Sequence, residues 1–270
     1  MTSAGPDLLA AIVAATRRDL VVRRAQVPSA ALDAQAARSR APQGHAFDGR
    51  LRSGGAIKVI AECKRRSPSR GVLAPDYDPV AQAQAYERGG AAAISVLTEP
   101  SFFDGSLAHL AAVRAEVAVP LLRKDFIVDE YQLLEARVAG ADAILLIVSV
   151  LTPAELARLH AAATAMGLAV LVEVHGEEEL DIAIATGAVI IGVNNRNLRT
   201  LEVDTTVSER LGSRMPLHVA AVSESGMKDK DDVGRLHRAG YCAVLVGERL
   251  MTSADPESEL RALCHAEVGP

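Results

Sequence analysis

Residues 143–174 read AILLIVSVLTPAELARLHAAATAMGLAVLVEV. An apolar run at 143–148 leads to Thr152-Pro153, which opens a helix over 154–166; Gly167 closes it, and a second apolar run follows at 169–174. Thr can satisfy the free N–H groups of a first helical turn, and Gly tolerates the left-handed exit from a last one. The runs are apolar on both faces, which suits parallel strands covered by helices better than antiparallel strands with one wet face.

Outward from this unit the same pattern recurs. Apolar runs stand at 59–63, 92–97, 120–123, 143–148, 169–174, 189–193, 218–222 and 243–246. Further helices are expected over 78–88, 106–117, 129–139, 177–186 and 229–239, with Gly89-Gly90, Gly140, Gly187 and Gly240 at four of the exits. A strand and a helix repeated eight times predict an α/β fold, a closed (β/α)8 TIM barrel. The chain has 270 residues, close to the roughly 250 such a barrel needs. A doubly wound open sheet is the competing architecture, but it would carry fewer repeats and a nucleotide-binding loop.

The first residues do not follow the repeat. Leu8, Leu9, Ile12, Val13, Leu20 and Val21 form a helical stripe that Pro28 ends, and 29–38 can form a second helix. Residues 1–52 are therefore expected to be an N-terminal helical extension packed on the barrel of 53–270, with capping of the barrel floor as its plainest role.

Hydrophobic residues make up 49% and aromatic residues 3%, so the core must be built from Ala, Val, Leu and Ile. The net charge is −5, without a basic block, which disfavours nucleic acid or an anionic membrane as partner. Cys63, Cys242 and Cys264 are too scattered for a disulfide framework or a zinc site, so no metal is expected. The first twenty residues carry charges unlike a signal peptide, and the longest apolar run is too short to cross a bilayer. A cytoplasmic location follows as the expectation; the oligomeric state stays open, a monomer included.

Reactive groups of such barrels lie at the C-terminal ends of the strands. There the chain carries Glu62 and Lys64, Lys124, Glu173, Asn194-Asn195-Arg196, Ser223-Glu224-Ser225-Gly226 and Gly247-Glu248. Side chains alternate along a strand, so Glu62 and Lys64 share one face and Cys63 takes the other. A buried charge is costly unless paired, and Glu62, Lys64, Lys124 and Glu173 at the ends of three different strands are hard to explain as stability alone. Mixed lysines and carboxylates tune each other's proton affinities, as acid–base catalysis requires. Ser225-Gly226 and Gly247-Glu248 follow the seventh and eighth strands, where these barrels commonly bind phosphate. His175 follows Glu173 by two residues. Its side chain is expected to point away from Glu173, so it is read as structural.

The stretches IAECKRRSPSRG at 60–71, LLRKDFI at 121–127, LVEV at 171–174, GVNNRNL at 192–198 and ESG at 224–226 resemble the indole-3-glycerol-phosphate synthase family. The resemblance runs from the extension to about Leu250. It implies an enzyme of tryptophan synthesis that closes, decarboxylates and dehydrates 1-(2-carboxyphenylamino)-1-deoxyribulose 5-phosphate, without a cofactor. It implies Lys124 as general acid at the ribulose carbonyl and Glu173 as a carboxylate that stabilises a cation or accepts a proton. Lys64 would be a second essential lysine, Glu62 its acid–base or orienting partner, and Asn194 a substrate-positioning group. Arg196 would lie near the anthranilate carboxylate, with Phe103 and Phe126 against its ring. Ser67, Ser225, Gly226, Gly247 and Glu248 would hold the phosphate. Glu248 departs from the family, where Ser is often found, so only its backbone N–H is expected to help. The rivals are a phosphate-binding sugar isomerase barrel, which would carry Cys/Asp or Asp/Asp pairs, a Schiff-base aldolase, and a non-catalytic relative that binds phosphometabolites.

Overall fold

The computed structural model describes residues 7–227 and 230–265, the side chain of Lys230 excepted. Eight parallel strands close into a barrel: β1 (Lys58–Cys63), β2 (Ala93–Leu97), β3 (Leu121–Lys124), β4 (Ala143–Ile147), β5 (Ala169–Val174), β6 (Ile190–Asn194), β7 (Ala220–Glu224) and β8 (Ala243–Val246). Each pairs with its neighbours in sequence, and β1 closes the ring on β8 with Ala61 opposite Val246. The helix after the expected seventh run spans Lys230–Arg238; its expected first residue, Asp229, lies outside the described residues.

Alternation sorts the strand residues into two cores. Val59, Ala61, Cys63, Val170, Val172 and Val174 pack outward against the helices. Ile60, Leu122, Leu145, Leu171, Val222 and Leu245 pack inward and fill the barrel. The next inward positions toward the strand ends are Glu62, Lys124, Glu173 and Glu224, so the same alternation that fills the barrel also fixes which side chains reach its mouth.

The seventh strand lies two residues later than its apolar run suggests. It ends on Ser223 and Glu224, polar residues that read as loop but pair in the ladder, with Asn194 opposite Glu224. Before it, Val219 N–H closes a turn onto the Pro216 carbonyl.

The extension forms three helices: α1 (Leu8–Gln26), α2 (Ser29–Arg38) and α3 (Gly44–Arg52). The third was not expected, since only Phe47 and Leu51 mark its apolar side. Both are buried and join the inner core. Arg52 donates to the carbonyls of His218 and Val189 at 2.9 and 2.8 Å, just before β7 and β6. α3 therefore seals the floor. α1 does something else: its Leu8 and Ile12 line the cavity at the opposite end, so capping the floor is only half of the extension's role. Among the described residues no helix is long and apolar enough to cross a membrane.

Candidate active site

Lys124 stands at the centre of the mouth. Its Nζ lies 3.2 Å from Glu224 Oε2 and 3.7 Å from both Glu62 Oε2 and Glu173 Oε2. Lys64 Nζ donates a hydrogen bond to Glu62 Oε1. All three carboxylates are buried. Glu224 owes its place partly to Gly192 on β6, because any Cβ there would collide with the Glu224 carboxylate.

Three carboxylates face two ammonium groups, and the imbalance decides the protonation states. Burial opposes the Lys124 charge, but Glu224, Glu62 and Glu173 outweigh it and hold the ammonium above the ordinary lysine range. Burial also opposes the Glu62 charge, and Lys64 and Lys124 overcome it, keeping that carboxyl below its ordinary value. Glu224 is the surplus acid. Burial, together with Glu173 and Glu62 and against the pull of Lys124, lifts its pKa from 4.5 to about 8.

Above this floor opens a cavity of about 750 Å³. Phe103 and Phe126 line it with ring centroids 6.1 Å apart, beside Leu8, Ile12 and Leu198. Ser67, Arg70, Ser225, Gly226, Gly247 and Glu248 also line it. Ser67 Oγ is 3.3 Å from Ser69 Oγ in the loop after β1. The loop after β7 turns sharply, with φ of 65° at Ser225 and 83° at Gly226, left-handed values that favour glycine at the second position. Asn195 Nδ2 holds that loop through the carbonyls of Glu224 and Ser225 at 3.1 and 3.0 Å. Asn194 Oδ1 accepts from Arg196 N–H at 3.0 Å. The Arg196 guanidinium donates to the Leu201 carbonyl and stands 3.7 Å from Glu248, whose other oxygen is 2.8 Å from Arg70 Nε.

Every site residue expected from the sequence thus lines one cavity. Four residues were missed or misplaced. Glu224 was read only as the end of a strand of uncertain register, although counting two residues on from inward Val222 would have found it. Leu8 and Ile12 were visible as a stripe without a destination. His175 was expected to face away from Glu173, yet its Nε2 lies 3.4 Å from Glu173 Oε1. The expectation had the parity wrong: residues two apart on extended backbone share a face, as Glu62 and Lys64 do, so His175 follows Glu173 onto the inward side.

A mixed-charge floor under an aromatic-lined mouth suits proton transfer within a bound ligand. The family model described as Indole-3-glycerol phosphate synthase matches residues 9–263. Indole-3-glycerol phosphate synthase of Chlorobium phaeovibrioides is 49% identical over 256 residues, 94% of this chain and 97% of that protein. The enzyme of the same name from Leifsonia xyli is 50% identical over 254 residues, 94% and 96% of the two chains. Among solved structures, thiamine phosphate pyrophosphorylase from Pyrococcus furiosus superposes with a TM-score of 0.60 at 16% identity, covering 82% of this chain and 96% of that one, a likeness of fold alone. By its family match and by its identity to these relatives over nearly its whole length, the chain belongs to the indole-3-glycerol phosphate synthase family.

Proposed function

We propose that the chain converts 1-(2-carboxyphenylamino)-1-deoxyribulose 5-phosphate to indole-3-glycerol phosphate, with Lys124 as the acid that starts the reaction. The observation that carries this reading is one buried ammonium among three carboxylates, at the foot of a cavity with an aromatic pair and a serine–glycine rim. The phosphate would sit against Ser67, Ser225 and the backbone of Gly226, Gly247 and Glu248. Binding there is remote from the reacting carbons and can be used to orient them. The anthranilate ring would lie by Phe103 and Phe126, its carboxylate toward Arg196 and Lys64, with Asn194 positioning the chain.

The ring carbon bearing the carboxylate bonds to the ribulose carbonyl carbon while Lys124 passes a proton to the carbonyl oxygen. The carboxylate leaves as CO2, and its electron pair quenches the cation held by the ring and its amine. Lys64 gives the new hydroxyl the proton with which it leaves as water, and a carboxylate, assigned here to Glu173, takes a proton from the adjacent carbon. Glu62 orients Lys64 and shares in returning protons to Lys124. The aromatic amine carries the transient cation, so the steps balance with these side chains and the substrate.

A Schiff-base route is disfavoured by the charge state of Lys124, since an ammonium has no lone pair to attack a carbonyl. Composition supports work in the reducing cytoplasm, with neither nucleic acid nor membrane as partner. The test is direct. The protein has no Trp, so indole fluorescence can be followed without tryptophan background while pure protein meets the substrate. Absence of turnover, or covalent trapping of the substrate on a lysine by borohydride, would refute the reading.

A further inference from the structure

We propose that His175 is a positioning residue for Glu173: its imidazole bridges Glu173 and Glu179 and fixes the orientation of the carboxylate used in the reaction. This rests on the catalytic part given to Glu173 above.

The bridge is built by two consecutive elements. His175 is the first residue beyond β5, and Glu179 lies in the helix Glu177–Ala185 that follows. The Glu179 carboxylate accepts the His175 backbone N–H at 2.8 Å, and the same oxygen lies 3.2 Å from ring Nδ1. One carboxylate oxygen therefore clamps both the backbone and the ring, which sets the ring plane and turns Nε2 inward. Nε2 then faces Glu173 Oε1 at 3.4 Å, and among the described residues neither of these two buried atoms has any other hydrogen-bond partner. A buried polar atom without a partner is expensive, so the two atoms are each other's natural complement.

The arrangement divides Glu173 by function. Its Oε2 faces Lys124 and the cavity, and its Oε1 faces His175. A carboxylate held at one oxygen cannot swing away from the substrate, and second contacts of this kind are what keep reactive groups in productive geometry. The charges acting on the ring come from β5 (Glu173), the following helix (Glu179) and β7 (Glu224). Burial opposes a charged ring, but the Glu179 hydrogen bond and the Glu173, Glu179 and Glu224 charges prevail and raise the His175 pKa above its ordinary value. A charged ring donates from both nitrogens, as a bridge between two carboxylates requires. It also adds positive charge to a cluster with one carboxylate in excess.

The experiment combines kinetics with ring titration. With His175→Ala, kcat is expected to fall about tenfold or more while KM stays within about twofold, and the acid limb of the kcat profile should move to higher pH because a cation facing the carboxylates is gone. His175→Gln places an N–H near the position of Nε2 without charge. It should recover most of kcat but leave the acid limb displaced. Glu179→Gln, which leaves the ring in place, should move the limb the same way. In parallel, the His175 ring is titrated by NMR in the parent protein and in Glu173→Gln; the ring pKa should drop in the variant. Wild-type kcat with an unmoved acid limb in His175→Ala overturns the proposal, as does a loss confined to KM. So does a His175 titration unaffected by Glu173→Gln, a result that stands even if His175→Ala does not fold. If the parent protein shows no turnover, the functional reading fails, and the titration alone decides whether His175 and Glu173 are coupled.

Discussion

Lys124 does two jobs with one charge: it is the proposed proton donor, and it neutralises carboxylates that would otherwise be buried together. Lys124→Met keeps much of the volume and removes both. Turnover is expected to fall by about a hundredfold or more, the scale of losing a positioned acid, while circular dichroism stays native because the carboxylates can take up protons instead. Glu173→Gln should lose turnover similarly with its packing preserved. Full activity in either variant withdraws that residue from the mechanism. Glu248 makes the opposite case. Its carboxylate engages Arg70 and stands near Arg196, at a rim assigned to phosphate. Glu248→Ser removes an anion from that rim, so inorganic phosphate should inhibit at concentrations a few-fold lower, with the gain shrinking at high salt as exposed charges are screened. An inhibition constant that does not move would show that the carboxylate never competes with the ligand.

At the level of elements, the two ends of the extension should separate stability from binding. Phe47 on α3 is fully buried in the floor plug, far from the mouth. Phe47→Ala should cost about 3–5 kcal/mol in urea unfolding and leave KM near the parent value. Leu8 on α1 lines the cavity, so Leu8→Ala should raise KM several-fold with a small effect on stability. The reverse pattern would mean that the floor and mouth assignments are exchanged. These elements also show how far the sequence could be read. β5 and β8 match their apolar runs end to end, because buried parallel strands must be apolar on both faces. β7 slips because its last residues, Ser223 and Glu224, are polar, and a strand that ends on polar side chains looks like a loop. α3 was invisible because two apolar residues four apart are too weak a helical signal. His175 was misjudged because residues two apart on extended backbone share a face, so it belonged on the side of Glu173. The site residues were legible for the reason β7 was not: a charge at the end of an apolar run has no structural excuse.

For the whole molecule, the surplus carboxylate links catalysis to stability. The Glu224 pKa rises from 4.5 in an ordinary environment to about 8 in the fold, so between those values the folded state binds a proton that the unfolded chain releases. Stability from this group is complete below about 4.5 and is lost as pH rises toward 8. His175, also raised, acts in the same direction from its ordinary value of 6.5 upward, whereas His109 and His160, lowered by burial, act in the opposite sense below it. Glu62, held low, loses its contribution only as pH falls below the ordinary carboxylate value. Comparison of the parent protein with Glu224→Gln cancels the groups common to both. The variant's stability relative to the parent should therefore climb steadily between about pH 5 and pH 8, read as urea midpoints at intervals across that window. A difference that stays flat would mean that Glu224 is ionised throughout, and the three carboxylates would then have to share their two ammonium partners without holding a proton.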